Sequence, residues 1–285
     1  MADIAPGTLL IVATPIGNLD DVSARALAAL RAADAIAAED TRQSERLLRH
    51  YGIARPLLAL HEHNEREIVA RLIERLRRGE RIALICDAGT PLISDPGFRL
   101  VAAAHEAGLR VSPIPGPCAA IAALSAAGLA TDRFVFEGFL PAKSAARRAR
   151  LAQLAGETRT LVLYESRHRL LETLADLVLE FGSERRATLA RELTKLHEQV
   201  VRAPLGELAA RVEADPEMQL GECVLVVEGA PESTCADASL REGQRVFALL
   251  ARELAPGRAA KLAAAITGAA RNALYRVERD TDEVP

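Results

Sequence analysis

The chain has 285 residues, 49% hydrophobic and 26% charged, and its 36 basic and 39 acidic side chains leave a formal charge of −3. A chain this long buries about 75% of the surface its unfolded form exposes, and its four scattered cysteines, Cys86, Cys118, Cys223 and Cys235, have no CxxC spacing, so neither a zinc knuckle nor a disulfide framework is suggested. No window holds the roughly 18 uninterrupted apolar residues of a membrane span, and the start MADIAPGTLLIVATP lacks the basic region of a signal peptide, so a cytoplasmic protein without membrane contact is expected.

Short β-branched runs at Leu9–Ala13, Ala35–Ala38, Arg81–Cys86 and Arg110–Ile114, predicted as strands, alternate with amphipathic stretches such as Val22–Arg31 and Arg66–Arg78, which is the rhythm of an α/β fold. In the second of these stretches Ile68, Val69, Leu72, Ile73 and Leu76 recur at three- and four-residue spacing, while Arg71, Glu74, Arg75 and Arg78 face outward. Three prolines in Pro113-Ile-Pro-Gly-Pro117 end the first unit before an alanine-rich helix, Ala119–Ala127. Further strands are predicted at Phe134–Phe136, Thr160–Tyr164, Ala187–Ala190 and Glu222–Val227, with a helix over Leu170–Glu180. Beyond Gly229 the pattern is helical only, over about residues 240–277. The divisions read from this are 1–116, 117–230 and a helical segment, 238–285.

Two loops leave strand ends in the first unit. Thr14-Pro-Ile-Gly-Asn-Leu19 leads into Asp20-Asp-Val-Ser23, whose residue types suit a helix N-cap; it is equally a plain turn or the rim of a ligand crevice. Leu84-Ile-Cys-Asp-Ala-Gly-Thr-Pro-Leu-Ile-Ser-Asp-Pro-Gly97 is richer. Its glycines allow a ligand to approach the main chain, its prolines hold the loop open, and Asp87 at the strand tip can accept hydrogen bonds; the alternative is a rigid connection with a left-handed residue. Neither GxxxxGK[ST] nor GxGxxG occurs there, so nucleotide phosphates are not the expected ligand.

His61-Glu-His-Asn-Glu65 fails the HExxH zinc pattern, because residue 65 is glutamate, and no metal is expected. Glu39-Asp-Thr-Arg42 places three ionisable groups at a strand tip, either as a salt-bridged turn or as part of a polar site. Lys143, Arg147, Arg148 and Arg150 form a basic run without an acid, and Arg252, Arg258, Lys261, Arg271 and Arg276 form a second excess. Both are solvated helix faces or phosphate-docking patches.

In order, IVATPIGNLDD, AEDTR, LHEHNE, DAGTPLISDPG, PIPGP, FEGFLP, LYES, ARELTKLHE and ECVLVVEG resemble the bacterial ribosomal RNA small subunit methyltransferase I family over residues 7–229, and KLAAAITGAARNALY resembles its C-terminal segment. The resemblance places the chain in the tetrapyrrole (corrin/porphyrin) methylase superfamily. It implies two α/β domains, the first with a parallel sheet and the second with a mixed one, plus a small helical appendage. It also implies S-adenosylmethionine-dependent 2′-O-methylation of a cytidine in 16S ribosomal RNA of the small ribosomal subunit, by a homodimer.

Carried onto this sequence, the resemblance implies a cofactor site from Pro15, Asp87, Ala88, Gly89, Pro91, Ile93, Ser94, Cys118 and Ala119, closed by Tyr164, Glu165, Glu192 and Leu193. Where the wider superfamily has Gly-Asp-Pro, this chain has Gly89-Thr-Pro91, so main chain rather than a carboxylate at residue 90 is expected to hold the methionine moiety. A ribose hydroxyl must lose its proton as it attacks, and Asp40, Arg42 and Glu62, with His61 beside them, are the catalytic candidates. Lys143, Arg147, Arg148 and Arg150 are the RNA-binding candidates. Rival readings are a precorrin or porphyrin methyltransferase and a non-catalytic RNA-binding assembly protein.

Overall fold

A computed structural model describes residues 4–61 and 65–274, with the main chain alone over 232–239. The first domain is a sheet of β1 (Thr8–Val12), β2 (Ala35–Ala38), β3 (Leu57–Ala59), β4 (Ile82–Leu84) and β5 (Arg110–Ile114), ordered β3-β2-β4-β1-β5. Every pairing in it is parallel. Helices α1 (Ala24–Ala32), α2 (Thr41–His50), α3 (Glu65–Arg77) and α4 (Phe98–Glu106) connect the strands. One face of the sheet packs Leu10, Val12 and Ile36 against Ala26, Leu30 and Leu48, and the other packs Leu9, Ile82 and Leu84 against Leu72, Leu76 and Leu100. Burial on both faces explains why β1, β2 and β4 are continuous apolar runs instead of alternating ones.

From β1 the chain passes to β2 on one side, and from β4 it passes to β5 on the other. The loops at the carboxyl ends of β1 and β4 therefore diverge and leave a crevice, as open parallel sheets do at such a switch point. Thr14 and Gly89 pair across those loops, each amide donating to the other residue's carbonyl at 2.8 and 3.0 Å. Pro113 lies inside β5 and is tolerated because β5 is an edge strand bonded only to β1.

The second domain holds β6 (Phe134–Phe139), β7 (Thr160–Ser166), β8 (Arg186–Arg191), β9 (Gln199–Pro204) and β10 (Glu222–Val227) in the order β6-β7-β10-β8-β9. Only β6–β7 is parallel, so the sheet is mixed. Helix α5 (Ala119–Ala126) packs Ala120, Ala123 and Leu124 on one face against Val162, Ala190 and Val226. Helices α6 (Ser144–Leu154), α7 (Leu170–Phe181) and α8 (Leu205–Ala214) cover the other through Leu151, Leu174, Leu177 and Leu208. Each such leucine stabilises the fold by about 1.5–3 kcal/mol relative to exposure.

Three further helices, α9 (Glu232–Leu250), α10 (Pro256–Thr267) and α11 (Arg271–Leu274), enclose a small core of Phe247, Ala259, Ala260, Ala263 and Leu274. No helix among the described residues is long and apolar enough to cross a membrane. Within the segment expected to cap a helix, Ser23 is the N-cap of α1, its hydroxyl accepting from the Ala26 amide, while Leu19–Asp21 forms a separate 3-10 turn capped by Asn18. Strands β3 and β9 were not expected; both are sheet edges, and neither shows a simple two-residue burial pattern.

Candidate active site

A cavity of about 750 Å³ lies where the carboxyl-edge loops of the first sheet meet the second domain. From the first domain it is lined by Ile16, Asp87, Ala88, Gly89, Thr90, Ile93, Ser94 and Asp95. Ala119 at the start of α5, Tyr164 and Glu165 of β7, and Glu192 and Leu193 after β8 line it from the second. Of the expected cofactor residues, Pro15, Pro91 and Cys118 are not in the lining. Pro15 and Pro91 are buried behind it, and Cys118 is the N-cap residue of α5.

The loop after β4 is held open by its own bonds. Thr90 spends its hydroxyl on the Pro117 carbonyl at 2.9 Å, which ties the loop to the entry of α5. Gly89 has φ +85°, and a Cβ there would meet Ile16 Cγ2 at 3.2 Å, so its bare main chain forms part of the wall. Among the described residues the four non-glycine residues with positive φ are Leu92, Ser94, Glu192 and Thr194. All fall in the two loops that face each other across the cavity, where such strained conformations mark ligand sites.

The lining is acidic. Burial raises the carboxyl groups of Asp87 and Asp95 above their ordinary range, and in Asp87 the donated Asp40 amide works against that rise. Glu192 is opposed by burial but held below its ordinary value by the Glu222 amide and by Lys195. The Lys195 ammonium donates to Glu192 at 2.9 Å and to Glu222 at 2.8 Å, so its charge is spent. Glu165 is saturated: it accepts from Arg169 at 2.9 Å, from the Thr173 hydroxyl at 2.6 Å and from the Ser166 amide at 2.7 Å. Tyr164, pushed above its usual range by burial, stays protonated, and its oxygen accepts the Ala120 amide at 3.2 Å at the first turn of α5.

These residues fit S-adenosylmethionine. Carboxylates face a volume suited to a cationic ligand, Ile16, Ile93 and Val224 supply apolar wall, and the volume lies within the range of small-ligand sites. Among the described residues no group of three or more His, Cys, Asp or Glu side chains could hold a metal ion.

The catalytic candidates separate. Asp40 caps α2, its carboxylate accepting the Arg42 amide at 2.8 Å and the Gln43 amide at 3.4 Å, while its own amide donates to Asp87 at 3.1 Å. Arg42 is exposed in the first turn of α2. Neither lines the cavity. Glu62 lies outside the described residues.

Among the RNA-binding candidates, Arg147 is corrected. It is 1% exposed and bridges α6 to α7 through Asp176 at 2.7 Å and Glu172 at 3.2 Å, so it is a packing cation that cannot reach a phosphate. Arg148 pairs with Glu180 and Arg150 with Glu137. Lys143 is exposed at the N-cap of α6. In the appendage Arg252, Arg258, Lys261 and Arg271 are exposed, and Arg276 lies outside the described residues.

Sequence reasoning missed Asp95, Phe139, Ser166, Arg167 and His168, and also Glu222–Val224 at the start of β10. Asp95 is the second carboxylate of the 84–97 loop, and that repetition of Asp87 is the signal for it. Nothing in the local pattern marks Arg167-His168.

The sequence profile of the Tetrapyrrole (Corrin/Porphyrin) Methylases matches residues 8–209, and that of the RsmI C-terminal HTH domain matches 237–277. Proteins called ribosomal RNA small subunit methyltransferase I are similar over almost the whole chain. The one from Pseudomonas aeruginosa is 58% identical, covering 96% of this chain and 97% of that protein. Those from Xylella fastidiosa strain Temecula1 and Escherichia coli O157:H7 are 57% and 54% identical, covering 95% and 96% of this chain and 98% and 96% of those proteins. Among solved structures, a uroporphyrin-III-C-methyltransferase from Thermus thermophilus shares the fold with a TM-score of 0.55 at 23% identity, over 78% of this chain and 94% of that one. Diphthine synthase does so at 0.58 and 18%, over 78% and 90%. The chain therefore belongs to the tetrapyrrole methylase family and, within it, to the ribosomal RNA small subunit methyltransferase I group.

Proposed function

We propose that this protein transfers a methyl group from S-adenosylmethionine to the 2′-oxygen of a cytidine ribose in 16S ribosomal RNA, in the cytoplasm and as a homodimer. The observation that carries this reading is the acidic two-domain cavity, in a chain 54–58% identical over nearly its full length to ribosomal RNA small subunit methyltransferases. The domain limits that go with it are 1–116, 117–230 and 238–285. Exposed Phe98, Ile121 and Leu196 support self-association.

When bound, S-adenosylmethionine supplies an electrophilic methyl group. The chain's part is to hold donor and acceptor at reacting distance, and positioning of that kind is worth about 7–11 kcal/mol. The loop 87–95, the first turn of α5 and the segment 192–193 form the cofactor walls. Asp40 orients Asp87 through its amide. Arg42, exposed on the same helix turn, is the proposed stabiliser of negative charge developing on the ribose oxygen, and Glu62 is a proposed neighbour. Lys143 and the exposed cations of α10 and α11 are proposed to dock the RNA backbone.

The deciding experiment incubates the purified protein and labelled S-adenosylmethionine with small ribosomal subunits lacking the modification, and maps 2′-O-methylation along 16S RNA. One methylated cytidine is expected. Label entering a tetrapyrrole precursor instead, or no label at all with cofactor bound, overturns the reading.

A further inference from the structure

An acidic cavity poses a difficulty for an RNA substrate. Phosphodiesters flank the ribose, and Asp87, Asp95, Glu192 and Glu222 all line the space it must enter. The Lys195 charge is already shared between Glu192 and Glu222. Among the described lining residues Arg167 is the one cation without a carboxylate partner; its Nε donates to His168 Nε2 at 3.2 Å, which leaves its terminal nitrogens for another ligand.

The turn that carries Arg167 is anchored from below. Glu165, buried, accepts the Ser166 amide and grips Arg169, and Arg169 donates at 2.9 Å to the carbonyl of Leu140. Leu140 follows Phe139, the last residue of β6, which pairs in parallel register with Tyr164 of β7. Phe139 and the Arg167–His168 turn are thus fixed to each other at one carboxyl edge. Phe139 lines the cavity at 56% exposure, with its ring edge-on to Tyr164 at 5.6 Å. A half-exposed aromatic on a cavity wall has an uncovered face.

Resting on the RNA 2′-O-methylation reading, we infer that Phe139 and Arg167 grip the acceptor nucleotide at two points, the ring stacking on its base and the guanidinium binding the adjacent phosphate. Stacking holds any base without reading it. A planar guanidinium binds a phosphate through two donors. A nucleotide extruded from its stack loses its neighbours' π-faces, and an aromatic side chain replaces them.

The test compares Arg167→Ala, Phe139→Ala and the rescue variants Arg167→Lys and Phe139→Tyr in steady-state methylation of unmodified small subunits, with S-adenosylmethionine binding followed by calorimetry. Each alanine variant should raise KM for the subunit about tenfold and leave cofactor affinity at the wild-type value. Phe139→Tyr should restore KM and Arg167→Lys should do so in part. Only Arg167→Ala should reduce the slope of log KM against log salt, by about 0.7–0.9. An unchanged KM in either alanine variant, or loss of cofactor binding in either, overturns the two-point grip. Wild-type protein that methylates no RNA at all would instead overturn the functional reading beneath it.

Discussion

The amide of Asp40 donates to the carboxylate of Asp87 at 3.1 Å while the Asp40 carboxylate caps α2. One residue thus starts a helix and fixes the tip of the neighbouring strand β4, and its carboxylate is committed to main-chain amides. Asp40→Asn keeps a capping oxygen, whereas Asp40→Ala loses the cap at about 1 kcal/mol. The alanine variant should melt lower and bind S-adenosylmethionine several-fold more weakly, while the asparagine variant stays near wild type in both stability and turnover. A base at Asp40 would instead make Asp40→Asn as inactive as Asp40→Ala, so methylation by the two variants separates cap from catalyst.

Arg147 is held between Asp176 and Glu172 at 1% exposure. Removing one partner of a buried pair leaves the other charge stranded, at a cost of about 3–5 kcal/mol. Arg147→Ala should lower the denaturation midpoint accordingly and leave the salt dependence of RNA binding unchanged. The double change Arg147→Met with Asp176→Leu should recover most of the loss, since the one carboxylate left without its partner, Glu172, is 68% exposed and solvated. A flattened salt dependence in a stably folded Arg147 variant would return this residue to the RNA surface.

That same residue marks where sequence reading stops. Strands β1, β2, β4, β7, β8 and β10 were legible because they lie inside their sheets, where burial leaves an apolar run, and the edge strands β5 and β6 were legible through their β-branched and aromatic residues. The loop 87–97 was legible because its glycines, prolines and aspartates exceed what a plain turn needs. Edge strands β3 and β9 lack that apolar signature. Arg147 looked like surface charge because its neutralising partners lie 25 and 29 residues away in α7, a distance no local pattern spans. Arg167 and Phe139 escaped notice for a related reason: each is ordinary in its own segment, and only the parallel register of β6 with β7 makes them one wall.

Two carboxyl groups should give the stability curve opposite slopes. Burial raises Asp95 above its ordinary 3.8. A raised carboxyl favours the fold fully below 3.8, and that contribution is lost as pH rises through its folded-state value. Asp95→Asn should therefore melt higher than wild type at neutral pH, and the gain should vanish in acid below 3.8. Glu157 is held at about 2, against an ordinary 4.5, chiefly by the Arg159 side chain. Its contribution is present above 4.5 and is lost as pH falls through 2, so Glu157→Gln should melt slightly lower at neutral pH and match wild type near pH 2; solvent around the pair keeps the effect small. Thermal melts from pH 2 to pH 8 check both signs, and an Asp95→Asn melting point that is lower at neutral pH would refute the first.

Gly138 closes the seam between the two domains. It sits at φ +64° beside the bulge in β6, and a Cβ there would lie 2.9 Å from the Ser94 hydroxyl of the first-domain cavity loop. Both features penalise any side chain, because a left-handed conformation strains an L-residue and the added carbon must push aside the Ser94 hydroxyl that lines the cofactor cavity. Gly138→Ala should cost about 1–2 kcal/mol in stability and weaken S-adenosylmethionine binding by more than the stability loss would suggest, since Ser94 itself lines the cavity. Shortening Ser94 to alanine removes the colliding oxygen but not the strain at residue 138. In Gly138→Ala with Ser94→Ala, cofactor affinity should therefore recover relative to the single change while stability stays low. Calorimetric titration and chemical denaturation of the single and double variants read the two effects separately, and recovery of neither would mean that the seam does not shape the cavity.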